Sequence, residues 1–203
     1  MSSIKKPIDL ILDRAEEFHS DGDSDNELAC YDQLYLIYSK SLISLNKILY
    51  FQQYTVENWN SCLKTISLIK NFGITPKLLN NEAYIYTELN QHDKAIKNMH
   101  LSFDQIQGDF SMYNFLCMMY SHNSSLLEEG FIFFNQSLKS DKDNVYFNYS
   151  LALLHYNKEL TKDNRDFTIA LQYMNNCYQS APDKIEVLNL FGIISSTMQR
   201  FQD

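Results

Sequence analysis

Apolar residues recur three and four positions apart along most of the chain, the pattern of helices that each bury one stripe. It is clearest over residues 76–109. There Leu79, Ala83 and Tyr86 share one helix face, Ala95, Met99 and Ser102 share the next, and Asn90 to Asp93 turn between them. Residues 7–20 predict an earlier helix opened by Pro7, with Ile8, Leu12, Ala15 and Phe18 on its apolar face. Proline suits a first turn because its missing N–H would be unpaired there in any case. Gly73 reads as a helix terminator, Pro76 as the start of the next helix, and Ala181-Pro182 as a stop.

The pattern repeats. Small residues at Ala29, Cys62, Ala95, Gly130 and Ala170 are followed four positions later by Gln33, Ile66, Met99, Phe134 and Met174. Leu36, Ile69, Ser102, Ser137 and Cys177 follow at seven, which places all three sets on one helix face. Only Gln33 departs. Asn26, Trp59, His92, Leu127 and Phe167 precede the small residues by three and suit the turn as wedges. A second series, Ala83, Cys117, Ser150 and Gly192, marks close contacts on the intervening helices, with Tyr86, Tyr120, Leu153 and Ser195 three positions on. Both series lengthen at the charged stretch KELTKDNRD, residues 158–166. Two independent series that stretch at one place argue for five helical pairs and a further C-terminal helix, in one all-α domain spanning 1–203. One period beyond Ala170 the pattern predicts another wedge at Phe201.

These small-bulky pairs at a period near 34 resemble the tetratricopeptide repeat (TPR) family. The resemblance implies a right-handed α-solenoid whose first helices line a concave groove. Carried onto this chain, the groove positions are Asn80, Tyr84 and Thr87, then Asn114, Met118 and Ser121, then Phe147, Leu151 and Leu154. Some members of the family hold the C-terminal carboxylate of a chaperone with Lys, Arg and Asn. Here the positions carry amides without Lys or Arg, apart from Lys77 at the edge. Amides beside Tyr, Met, Phe and Leu suit a partner peptide or helix with its own apolar anchors. The resemblance therefore implies a protein-interaction adaptor or scaffold. Two alternatives stay open: a dedicated inhibitor or immunity-type protein that blocks an enzyme, and a recruiting arm cut from a larger multidomain enzyme, as TPR arrays are in some glycosyltransferases.

Composition narrows the classes. With 45% apolar residues but only 5 Gly and 3 Pro, the 203-residue chain favours helices throughout. A net charge of −8, with no basic run longer than Lys5-Lys6, argues against nucleic acid. The first apolar stretch is cut by Asp9 and Asp13, too short for a signal or a membrane span, so a cytoplasmic protein is expected.

No P-loop, GxSxG, GxGxxG or HExxH pattern occurs, and the five histidines are scattered, so neither an enzyme nor a cofactor is expected. Cys62, Cys117 and Cys177 occupy small-residue positions and Cys30 adjoins one, which reads as packing rather than metal or redox chemistry. Residues 21–32 carry two readings. Asp21, Asp23, Asp25 and Asp32 have calcium-loop spacing, yet Asn26 stands in place of the sharp-turn glycine, and a solvated, helix-capping turn explains every residue. Finally, Leu190, Phe191, Ile193, Ile194 and Met198 crowd the last helix, which predicts self-association through it.

Overall fold

The computed structural model describes residues 5–103 and 109–200. Eleven α-helices and one 3-10 turn are found among them, with no strand. The chain divides into two compact units, Met1–Gln91 and His92–Asp203.

The first unit contains α1 (Pro7–Ser20), α2 (Ser24–Tyr38), α3 (Leu42–Tyr54), α4 (Trp59–Ile69), the 3-10 turn Lys70–Phe72 and α5 (Pro76–Glu88). Helix starts follow local chemistry. Asp23, Ser41, Asn58 and Thr75 each accept the backbone N–H three residues on, at 3.1–3.3 Å. Each such cap contributes about 1 kcal/mol. Pro7 and Pro76 occupy first turns, and Gly73 leaves the 3-10 turn at a φ of 129°, a backbone region that suits glycine. Leu34, Leu45, Ile48, Cys62 and Ile66 are fully buried at its centre.

The repeat in α2 is displaced by one residue from the sequence reading. Cys30 takes the buried small position and Leu34 follows four later, while Ala29 and Gln33 face solvent and Leu36 is 85% exposed. The one apparent exception, Gln33, is thereby removed. Two tyrosines fix the register. Tyr31 donates to the buried Glu27 carboxylate at 3.0 Å, and Tyr35 sits in a closed polar ring. Gln52 Nε2 donates to the Tyr35 hydroxyl at 2.9 Å, Tyr35 donates to Thr65 Oγ1 at 2.9 Å, and Thr65 donates to Gln52 Oε1 at 2.6 Å. Buried polar groups that are mutually satisfied in this way hold one packing arrangement. The ring also explains why α3 fits the apolar pattern poorly: Gln52 and Gln53 are core residues.

The second unit contains α6 (His92–Ser102), α7 (Phe110–Tyr120), α8 (Ser124–Ser140), α9 (Val145–Leu160), α10 (Thr168–Ser180) and α11 (Ile185–Arg200). Helix α9 is central, packed against α7, α8, α10 and α11. The predicted faces are realised here. Met99, Phe134 and Met174 are fully buried, as are the small residues Cys117 and Ser150. In α11 the close-contact position falls to Leu190 rather than Gly192, whose Cα faces open space. Both stretched steps of the repeat then measure 40 residues, as the insertion requires. That insertion is tied down. Buried Glu159, in the last turn of α9, accepts from Lys162 Nζ and, at 3.0 Å, from the Asp166 N–H. These bonds outweigh the effect of burial and hold its carboxyl below the usual range. The predicted wedge at Phe201 lies outside the described residues.

Candidate partner-binding surface

In the first unit, two of the three predicted groove residues are half-buried. Thr87 turns its hydroxyl back to the Ala83 carbonyl at 3.0 Å, and Asn80 is partly covered. Tyr84 is 40% exposed, its ring edge-on to Trp59 at 5.8 Å between centroids. Trp59 also packs against the core, as its wedge position predicts. Further aromatic surface lies on α3, which the sequence reading did not single out: Tyr50 and Tyr54 are both exposed, with ring centroids 4.8 Å apart. A helical spacing of four residues was the available signal, masked because the whole helix is rich in large side chains.

In the second unit, Met118 is 52% exposed on α7. Asn114 accepts from the Tyr149 hydroxyl at 2.9 Å, and Ser121 accepts from Asn157 at 2.9 Å, so both amide and hydroxyl tie α7 to α9. Leu151 and Leu154 are fully buried, and Phe147 nearly so against Phe103 and Tyr113. The four neighbours of α9 leave it little free face, so these three side chains support the surface from beneath.

No group of three or more His, Cys, Asp or Glu converges as a metal site among the described residues. Of the calcium-spaced carboxylates, Asp23 caps α2, bonding both the N–H and the side-chain amide of Asn26, and Asp32 pairs with Lys64 at 2.6 Å. All four thiols are free and buried. Burial pushes Cys62, Cys117 and Cys177 up to about 12, so none is a thiolate near neutral pH.

On α11, Val187, Leu190 and Ile194 are buried inward, and Phe191 and Met198 are partly covered. Its outward apolar face is thus narrower than the sequence implies: Ile185 at 70%, Leu188 at 46% and Ile193 at 49% exposed. No helix among the described residues is long and apolar enough to cross a membrane.

Among solved structures, a tetratricopeptide repeat protein from Parabacteroides merdae aligns with a TM-score of 0.54 at 12% identity, covering 95% of this chain and 73% of that one. This chain has a TPR-like fold. Other TPR structures align more loosely. YrrB, described as a TPR protein with an unusual peptide-binding site, has a TM-score of 0.47 at 15% identity, over 88% of this chain and 89% of its own. MamA has 0.48 at 12%, over 87% and 93%. No family model and no curated protein matches the sequence. The likeness therefore belongs to the fold, and the TPR-like helices of this chain carry side chains of their own.

Proposed function

We propose that this protein is a non-catalytic interaction scaffold that holds a peptide or helix of a protein partner on the faces of its first helices. The observation that carries the reading is the set of exposed aromatic and thioether side chains on those helices, each unit taken by itself: Tyr50, Tyr54 and Tyr84 on α3 and α5 of the first, and Met118 on α7 of the second. Aromatic and Met side chains left in water on rigid helices are common anchors of interfaces.

Selection of binders from a random peptide display library tests the reading. Enrichment of sequences whose binding is lost in a Tyr84→Ala or Met118→Ala variant is expected. Failure to enrich any sequence, or binding indifferent to both substitutions, would reject it.

A second reading is self-association through α11, favoured by the exposed Ile185, Leu188 and Ile193. Light scattering after size exclusion across a concentration range should show a dimer that Ile193→Asp abolishes. A monomer at every concentration would exclude it.

A further inference from the structure

The chemistry around Tyr84 narrows the partner class, an inference that rests on the scaffold reading above. Five side chains gather where α3 ends, α4 begins and the last turns of α5 pass. Tyr54 is 66% exposed, and Trp59 meets Tyr84 edge to face. Glu88 follows Tyr84 by one helical turn on α5, and Glu57 lies between the end of α3 at Tyr54 and the start of α4 at Trp59. Burial first, and then these acidic neighbours, push that phenol up, so its hydroxyl stays a neutral donor.

Three features weigh this patch toward negative charge, against the positive pole where α4 begins, whose Ser61 N–H is capped by the Asn58 side chain. The carboxylates of Glu57 and Glu88 are exposed at its rim. The helix ends α3 and α5 both present C-termini, the negative pole of the helix, and neither has a basic residue in its last turn. The faces of Tyr54, Tyr84 and Trp59 carry the negative quadrupole that attracts cations. Elsewhere in this unit, Lys5, Lys47, Lys64 and Lys70 are engaged by Asp13, Asp9, Asp32 and Glu82.

We propose that the Tyr54, Trp59 and Tyr84 face binds a lysine or arginine side chain carried on a partner's peptide segment, with Glu57 and Glu88 as its counter-charges. The guanidinium or ammonium group takes a carboxylate at its edge and an aromatic ring at its face, an arrangement that an acidic or neutral segment cannot use.

Trp59 is the only tryptophan, so its emission reports on this patch alone. An acetylated, amidated hexa-arginine peptide titrated into the full chain should change that emission saturably, and hexa-glutamate should not. The Glu57→Gln/Glu88→Gln pair, checked for an unchanged helical circular dichroism spectrum, should weaken hexa-arginine by about tenfold or more. Tyr84→Leu should weaken it also while leaving both charges in place. Equal affinity for the parent and the Gln pair would overturn the proposal and place the cation on the acidic turn at 21–27 or elsewhere. A flat Trp59 response would overturn it too. The two readings fail separately: a display library that returns only neutral or acidic binders dependent on Tyr84 or Met118 leaves the scaffold standing and removes the cation site.

Discussion

The backbone of Gly130 lies directly against the ring of Tyr120, so close that a Cβ on Gly130 would come 2.7 Å from a ring carbon. Tyr120 is fully buried and its hydroxyl is bonded to His100 Nε2, so the ring is held from its far end and cannot swing aside. Position 130 therefore admits glycine because of α7, rather than because of any turn in α8.

Gly130→Ala should cost about 1–3 kcal/mol by overpacking, in spite of alanine's better helix propensity. Urea unfolding measures it. The same substitution at Gly192, which faces open space in α11, should be neutral or stabilising by about 1 kcal/mol. Equal effects at the two glycines would contradict the close contact with Tyr120.

In the first unit, the carboxylate of Glu27 is buried and accepts from Tyr31 at 3.0 Å and Asn58 at 2.8 Å, with His19 Nδ1 at 3.0 Å. It joins α1, α2 and the start of α4. Removing it leaves the Tyr31 hydroxyl and an Asn58 N–H without their acceptor, and Glu27→Ala should destabilise by about 2–4 kcal/mol. Glu27→Gln, which retains one acceptor oxygen, should cost less. Chemical denaturation of both variants decides; if Ala proves no worse than Gln, the carboxylate's bridging role is wrong.

Acid should weaken the second unit. Burial is the main cause that lowers His92, His100 and His155 below the ordinary imidazole value, joined by His122 at His92 and by Lys158 at His155. Asp93, Glu129, Glu159 and Glu128 oppose the shift without reversing it. His92 stacks on His122 at 3.7 Å, and neither of its buried nitrogens has a hydrogen-bond partner among the described residues. Because the unfolded chain binds these protons first, the stabilisation is complete above about pH 6.5 and is lost as pH falls through the lower folded values. Thermal midpoints between pH 8 and pH 5 should fall accordingly. His100→Gln, which keeps a partner for the Tyr120 hydroxyl, should flatten the profile.

Much of the fold was legible because its determinants are local. Pro7, Gly73 and Pro76 act on their own backbone, and Ile66, Met99, Phe134 and Met174 announce a buried face by spacing alone. The candidate surface was less so. Tyr84 and Met118 were found by their place in the repeat and are exposed, whereas Leu151 has the equivalent place and is buried, as is Leu154 at the place where Thr87 and Ser121 are half-buried. Their spacing is the same; what differs is how many helices crowd around them.

The sequence by itself determined the helices, their pairing period and the acidic balance, since each follows from spacing and composition. Only the tertiary structure decided that Cys30 rather than Ala29, and Leu190 rather than Gly192, fill the packed positions. In α2 two adjacent small residues compete for one slot, and the winner is set by what its neighbours can bury and satisfy; in α11 the slot goes to a bulky Leu two residues before the glycine. At α2 those neighbours are Tyr31 and Tyr35, whose hydroxyls find partners on α2, α3 and α4 only when Cys30 points inward.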